Sequence, residues 1–284
     1  MLASLKRLIP KKFRKQKTVI PLLRLQGVIQ AGGSQFRPAL NLASVEDLLD
    51  KAFDMKKAPA VAISINSPGG SPVQARAIFN RIRDLALKKE KKVLVFVEDV
   101  AASGGYLISL AGDEIIADPT SIVGSIGVIS GGFGFPELLK KIGIERRVYT
   151  SGSNKSVLDP FQPEKQSDID HLKALQQEVH RVFIDMVKER RGAKLSDNPD
   201  LFTGLFWTGE TGLALGLVDG VGDMMAELRK RYGDEVEIEK IETSRGFLGR
   251  FISSQKGSAA IGAGFAAGIT ETAEERAWWS RYGL

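Results

Sequence analysis

One serine lies where its hydroxyl could act as a nucleophile. Ser103 stands in "AASGGY" (101–106), between an apolar run that predicts a strand and one that predicts a short helix. A sharp strand-to-helix turn exposes a side chain at the carboxyl end of the strand, and the next N–H, that of Gly104, points with the helix amides. This arrangement suits attack on an acyl carbon, although a serine beside two glycines is by itself typical of a turn.

The residue types available to the chain restrict what could activate that serine. There is no cysteine, and the two histidines, His171 and His180, point to opposite faces of one predicted helix. Disulfides, thiolate chemistry and thiolate zinc sites are excluded, and we expect no metal and no cofactor. The glycines of "SPGG" (67–70) and "GGFG" (131–134) lack a following Gly-Lys-Ser/Thr, so no phosphate loop is indicated. A nucleophilic serine would need a lysine or a carboxylate as its base.

A loop lysine and two glycine-rich loops are candidates for the rest of an acyl-transfer site. Lys155 lies in the polar loop "YTSGSNKSVLDPF" (149–161), although a loop lysine by itself is rarely a base. "SPGG" follows the preceding predicted strand and would share a sheet edge with Ser103 if the strands are parallel. Because glycine lets a backbone N–H approach a substrate oxygen closely, Gly70 and Gly104 could form an oxyanion hole.

The elements that must position these groups alternate along the chain. Ser44 with Asp47 predicts the start of one helix, and Ser71 as N-cap with Pro72 predicts the start of the next. The alternation indicates an α/β architecture with parallel strands. Strands are predicted at 18–29, 60–66, 91–100, 144–150 and, as two short strands, within 114–130; helices are predicted at 45–57, 72–89, 104–111, 135–143, 164–191 and, as two short helices, within 208–233.

The basic charge is concentrated at the N-terminus. The net charge is +6, but residues 1–17 hold seven basic residues and no acidic one, which leaves about −1 for the rest. The basicity therefore belongs to an arm and not to a nucleic-acid-binding face. The arm is either a solvated tail or a peripheral contact with anionic lipid. It is too poor in apolar residues for a transmembrane helix and too charged for a signal peptide.

Four motifs, "SPGGS", "AASGGY", "GSIGV" and "SGSNKS", in this order and approximate spacing resemble peptidase family S49, the signal peptide peptidase A and SohB-type serine proteases. The resemblance covers roughly residues 18–235 and implies an α/β, ClpP/crotonase-like fold of repeated ββα units. It implies that Ser103 is the nucleophile and Lys155 the general base. Ser125, in "GSIGV", would orient the lysine, and the amides of Gly70 and Gly104 would form the oxyanion hole.

The expected site has a requirement that the structure can meet or fail. A lysine exposed to water has a pKa of about 10.4 and is almost fully protonated at neutral pH, so a lysine base must be buried. We therefore expect Lys155 inside an apolar cleft, within hydrogen-bond reach of the Ser103 hydroxyl. Asn66, Gly69 and Tyr106 flank the expected cleft and are weaker candidates for substrate binding, although such a tyrosine more often packs in the core.

The function that these observations predict is that of a serine endopeptidase. It would hydrolyse signal-peptide remnants or other unfolded apolar peptides through a Ser/Lys dyad and an acyl-enzyme intermediate. An acyl-CoA-processing crotonase-like enzyme and a catalytically inactive scaffold are the alternatives. The resemblance also implies a homo-oligomer, a ring or dome, in which a neighbouring subunit could complete the site.

The predicted organisation has three parts: a basic arm at 1–17, a peptidase domain at 18–240 and a C-terminal extension at 241–284 that a partner could order. Near the end of the extension, Trp278 and Trp279 could anchor a membrane or a partner, or pack on their own domain. With no transmembrane helix and no signal peptide expected, the predicted location is the cytoplasm or the periphery of the inner membrane. Nucleic acid is not an expected partner.

Overall fold

The computed structural model describes residues 17–32, 39–242 and 276–284. Almost all of the predicted basic arm and most of the predicted C-terminal extension lie outside the described residues. In the described part, eight strands form one sheet. The strands are β1 (Val19–Gln26), β2 (Ala60–Ser67), β3 (Lys92–Ala102), β4 (Glu114–Ala117), β5 (Ile122–Gly124), β6 (Phe206–Thr208), β7 (Gly220–Val221) and β8 (Glu237–Lys240).

The order of the strands explains why Ser103 lies at a junction. The sheet runs β6-β5-β3-β2-β1-β8, with β4 beside β3 and β7 beside β4, and every pair is parallel except β5 with β6. The first half of β3 pairs with β4, whereas its last residues pair with β5. The carboxyl end of β3 is therefore flanked by β2 on one side and by β5 on the other.

Seven α-helices are described between residues 42 and 232, and most begin where the sequence predicts. They are α1 (Leu42–Asp54), α2 (Pro72–Lys89), α3 (Gly104–Ser109), α4 (Pro136–Lys141), α5 (Gln166–Arg191), α6 (Gly209–Ala214) and α7 (Met224–Tyr232). Ser71 caps α2, with Pro72 as its first residue, as predicted. The N-cap of α1 is Asn41 and not Ser44: the Asn41 side chain accepts from the Ser44 N–H, and the Ser44 hydroxyl accepts from the Asn41 N–H.

Helices cover both faces of the sheet. On one face, buried side chains of α1, α2, α3 and α5 pack against β2 and β3. On the other face, Leu228 of α7 packs with Ile20, Ala62 and Leu94. Every residue of β2 is buried, including its polar residues Ser64, Asn66 and Ser67, because a parallel strand between two helical layers has no solvent face.

Residues 127–165 form an exposed lobe that follows β5 and contains α4. No residue in this range is buried. The strand predicted at 144–150 is wrong, because these residues are exposed and pair with no other strand in the described part of the chain. The lobe is held by contacts of its own: the Phe135 N–H donates to the Pro160 carbonyl oxygen at 2.6 Å, and the Phe135 and Phe161 rings lie 5.7 Å apart.

Candidate active site

Ser103 occupies a strained turn between β3 and α3. Its φ of 51° and ψ of −119° are unusual for a residue other than glycine and cost about 1–3 kcal/mol. Two backbone hydrogen bonds hold the turn. The Ser103 N–H donates to the carbonyl oxygen of Gly124 at 2.9 Å, and the Leu107 N–H donates to the carbonyl oxygen of Ser103 at 2.9 Å. The side chain is half-buried and does not cap α3. The hydroxyl is thus held at the carboxyl edge of the sheet without being used as a helix cap.

The "SPGG" loop lies against this turn. Gly70 forms an isolated parallel bridge with Ile29, in which the Ser71 N–H donates to the Ile29 oxygen at 2.7 Å. The bridge uses the groups of Gly69 and Ser71, so the N–H of Gly70 itself points away from Ile29. A methyl group on Gly69 would lie 2.8 Å from the Ser103 Cβ and 3.0 Å from the Gly104 nitrogen. The structure therefore brings the loop that carries Gly70 to the start of α3.

The Gly104 amide is the second predicted oxyanion donor. Gly104 is the first residue of α3, and a first-turn N–H has no acceptor within its own helix. The Gly70 and Gly104 amides thus belong to two segments that come together at Ser103. Gly69, predicted as a substrate contact, supplies the close approach of the loop to Ser103.

Ser125 lies beside Ser103 in the structure. The β3–β5 register ends at the pair Ala102 and Gly124, so Ser103 and Ser125 are the next residues along two neighbouring chains. Adjacent strands lie about 4.8 Å apart. Ser125 is buried, its φ is 53°, and its N–H donates to the Leu205 oxygen at 2.8 Å. Its hydroxyl accepts a hydrogen bond from the Tyr282 hydroxyl at 3.3 Å.

Lys155 does not reach these serines within the single chain. It lies in the exposed lobe, and its side chain is exposed and not enclosed in an apolar cleft. Its backbone N–H donates to the Gly152 oxygen at 3.3 Å. The expectation of a buried Lys155 within reach of Ser103 is therefore corrected for the isolated chain, because no described part of the chain covers the lobe at this point.

Two of the predicted substrate contacts are structural. The Asn66 side chain is buried, donates to Asp99 Oδ2 at 2.6 Å and accepts from the Val100 N–H at 3.3 Å. It thereby supports the irregular stretch where the β2–β3 register shifts. Tyr106 is fully buried, its hydroxyl donates to the Leu217 oxygen at 2.7 Å, and burial raises its pKa. Neither side chain is free to contact a substrate, which corrects both expectations.

The structure adds two residues that the sequence did not point to. His171 is exposed, but His180 is half-buried, and its Nε2 lies 3.0 Å from the carbonyl oxygen of Ile126, the residue after Ser125. Tyr282 reaches Ser125 from 157 positions away in the sequence, a distance that no local pattern encodes. In residues 17–32, 39–242 and 276–284, no cluster of carboxylates and histidines could hold a metal ion.

Comparison with known sequences relates the chain to peptidases. A family model described as "Peptidase family S49" matches residues 85–238. The chain is 65% identical over 286 residues to a Brucella melitensis protein named "Na(+)/H(+) antiporter NhaA", in an alignment that covers 99% of this chain and 39% of that protein. It is 30% identical to "Serine protease SPPA, chloroplastic" of Arabidopsis thaliana (69% of this chain, 30% of the relative) and to "Protease 4" of Haemophilus influenzae (74% and 34%).

These relatives are much longer than the region they share with this chain. The chain spans 39% of the length of the Brucella protein. The name of that protein therefore refers to a longer chain, of which one part aligns with this chain. Among the described residues, none of the helices has both the length and the apolar character needed to cross a membrane.

Solved structures show the same fold at low sequence identity. A mutant of the 1510-N membrane-bound stomatin-specific protease matches with a TM-score of 0.50 at 19% identity, over 81% of this chain and all of that one. A second mutant of that protease, in complex with a substrate peptide, matches with a TM-score of 0.50 at 18% identity, over 84% of this chain and 98% of the other. The likeness identifies the fold as ClpP-like α/β.

Proposed function

Because the chain belongs to peptidase family S49, we propose that it is a serine peptidase whose nucleophile is Ser103. One observation carries the proposal. The Ser103 hydroxyl is held in a strained strand-to-helix turn, uncommitted to a helix cap, beside the loop of Gly70 and the first amide of α3. A backbone in a costly conformation persists only when its surroundings impose it, and such residues cluster at active sites.

The arrangement supports acyl transfer in two steps. Ser103 Oγ bonds to the carbonyl carbon of the substrate, its proton passes to the base, and the oxyanion accepts hydrogen bonds from the Gly70 and Gly104 amides. Each such donor is worth about 3–4 kcal/mol of transition-state stabilisation. The C–N bond then breaks, and the base returns the proton to the leaving amine. A water molecule, deprotonated by the same base, hydrolyses the acyl-enzyme and releases Ser103.

The base in this proposal is Lys155, supplied by a second copy of the chain. The lobe that carries Lys155 exposes large apolar side chains, among them Phe133 (82% exposed) and Tyr149 (90% exposed). Apolar patches of this kind mark interaction surfaces. A second copy packed on the lobe would cover these side chains and remove water from the amine, which favours its neutral form. Ser125, beside Ser103, would then accept a hydrogen bond from the amine and orient it.

The proposed substrates are unfolded apolar peptides, signal-peptide remnants among them. Val100 and Ala102 of β3 and Ile122 of β5 form an apolar cluster next to Ser103, which Trp279 and Tyr282 cover in the structure. A structural neighbour was solved with a substrate peptide, and a relative is named as a serine protease of the SPPA type.

We further propose that residues 18–240 form the peptidase domain and that the arm at 1–17 touches anionic lipid. Liposome sedimentation of the full chain and of a chain lacking the arm would test the lipid contact.

A fluorophosphonate probe tests the proposed activity. Labelling forms an Oγ–P bond at the serine, breaks the P–F bond and passes the hydroxyl proton to the base. We expect labelling of the wild type at Ser103, loss in Ser103→Ala and Lys155→Ala, and no loss in the control Lys141→Ala, another exposed lysine of the lobe. A folded wild type that resists the probe would favour an inactive scaffold, and hydrolysis of acyl-CoA without peptide hydrolysis would favour the crotonase-like alternative.

A further inference from the structure

His180 joins the two places where the exposed lobe is connected to the rest of the domain. The lobe begins directly after Ile126, and α5 carries the chain back from it. From residue 127 to residue 182 no residue is buried, and the first buried residue of α5 is Phe183. His180, three residues before Phe183, is half-buried, and its Nε2 lies 3.0 Å from the Ile126 carbonyl oxygen. This contact ties the helix that leaves the lobe to the chain that enters it.

The contact is a hydrogen bond in which the histidine is the donor. A carbonyl oxygen only accepts, so Nε2 carries a hydrogen, and the neutral ring is the Nε2–H tautomer. The protonated ring donates from the same nitrogen, so the bond is available in both charge states. Ile126 is fully buried, and no backbone N–H of the described residues donates to its oxygen. The bond to His180 therefore satisfies a buried carbonyl group that would otherwise lack a partner.

The peptide group that His180 holds also closes the turn of Ser125. The Ile126 carbonyl and the Gly127 N–H belong to one planar peptide group. The Gly127 N–H donates to the Ser125 carbonyl oxygen at 3.0 Å, and the Ser125 N–H donates to the Leu205 carbonyl oxygen at 2.8 Å. Ser125 has a φ of 53°, a conformation that persists only when its surroundings impose it. By fixing the Ile126 carbonyl, His180 fixes the plane whose N–H holds this turn.

We propose that His180 is a positioning residue for the proposed active site, because its hydrogen bond to Ile126 holds the turn that places the Ser125 hydroxyl. This inference rests on the proposed peptidase function and extends it to a residue that acts through the backbone of Ser125. The same bond fixes the root of the lobe that carries Lys155. A displaced turn leaves the lysine amine without its hydroxyl partner and more exposed to water, which favours the charged form of the amine.

The first test measures the rate of fluorophosphonate labelling at Ser103 against pH in the full chain. His180→Phe keeps a ring and removes the donor, whereas His180→Gln keeps an N–H donor at a similar reach. Only the neutral amine takes the hydroxyl proton, so the rate rises with pH as the amine loses its charge. We expect His180→Phe to label about tenfold more slowly at neutral pH and to have its profile moved upward by about one pH unit. His180→Gln and the control His171→Phe, on the exposed part of α5, should follow the wild-type profile.

The shift of the profile separates a positioning role from a purely structural one. A variant that only lowers the fraction of folded chain lowers the labelling rate by the same factor at every pH. A displaced turn instead leaves the rate at high pH unchanged, because the amine is neutral there in both proteins. A His180→Phe profile that coincides with the wild-type profile, or that differs from it by one factor throughout, would overturn the proposal.

Amide hydrogen exchange separates this inference from the proposed activity. The Ser125 and Gly127 amides should exchange faster in His180→Phe than in the wild type, and at the wild-type rate in His180→Gln and His171→Phe. If the wild type resists the probe but this exchange pattern is found, the peptidase proposal fails, while the hold of His180 on the Ser125 turn stands. If both amides exchange equally in all four proteins, the assignment of His180 fails, whatever the labelling shows.

Discussion

The two glycines that follow Ser103 differ in what an added methyl group would meet. A Cβ on Gly105 would lie 2.5 Å from the Ser67 carbonyl oxygen and 3.3 Å from the Ser67 carbonyl carbon, both backbone atoms of β2. A Cβ on Gly104 would lie 3.1 Å from the Ile29 Cδ1 atom, the far end of a side chain that can move, and 3.4 Å from the Ala75 Cβ. Gly105→Ala therefore has to push α3 away from β2, whereas Gly104→Ala does not.

The cost can be worked from these distances. Carbon and oxygen atoms that are not bonded approach to about 3.5 Å, so Gly105→Ala has to shift α3 by about 1 Å. Overpacking of this kind costs about 1–3 kcal/mol or more, and the gain in helix propensity from glycine to alanine returns at most about 1 kcal/mol. We expect Gly105→Ala to lower the free energy of unfolding by about 2 kcal/mol. Because a misplacement of about 1 Å costs about a hundredfold in rate, we expect a comparable loss of labelling at Ser103.

Two measurements check this prediction against its matched control. Urea unfolding followed by tryptophan fluorescence gives the change in stability, and the fluorophosphonate labelling rate gives the change at the site. Gly104→Ala should change the free energy of unfolding by less than about 1 kcal/mol. Equal unfolding midpoints and equal labelling rates for the two variants would refute the reasoning, because the contact with Ser67 would then not constrain α3.

Three further substitutions concern buried polar groups. Tyr106→Phe should lose the hydrogen bond to the Leu217 oxygen and about 1–2 kcal/mol of stability, measured by urea unfolding, with an unchanged labelling rate. Asn66→Ala should cost about 2–3 kcal/mol and also slow labelling, because β3 loses a support just before Ser103. Burial alone would raise the pKa of Asp219, but the hydrogen bonds led by that of Arg191 lower it overall. Its contribution to stability is therefore present above about pH 4 and is lost as the pH falls through the lowered pKa. At pH 7 the free energy of unfolding of Asp219→Asn should be about 3 kcal/mol lower than that of the wild type. In acid the two free energies of unfolding should converge.

Local sequence patterns were sufficient for the elements that carry Ser103. β2 and β3 can be predicted because each contains an apolar run, residues 60–63 and 93–97, of the kind found in strands buried on both faces. The start of α2 can be predicted because Ser71 and Pro72 form a start signal within two residues. The sequence predicts too late a start for α1, because Asn41 and Ser44 share the capping interactions and either could serve as the cap. Patterns of a few residues are thus enough to predict the strands and the helix around Ser103.

Contacts between distant residues could not be predicted in the same way. Nothing near Tyr282 in the sequence indicates that it meets Ser125, since the contact depends on how the whole sheet places β5. The residues at 144–150 alternate enough to suggest a strand, but they find no pairing partner in the described chain. Lys155 could be assigned a role only by resemblance, because a single chain leaves it exposed.

The source of the lysine is the central claim, and mixing two inactive variants tests it most directly. Ser103→Ala retains Lys155, and Lys155→Ala retains Ser103, so a site formed between one copy of each contains both groups. After the two variants have exchanged subunits, we predict that labelling returns, on the Lys155→Ala chain alone, as located by mass spectrometry. If tagged mixed oligomers form and neither chain is labelled, while the wild type under the same conditions is labelled at Ser103, Lys155 does not act across the interface.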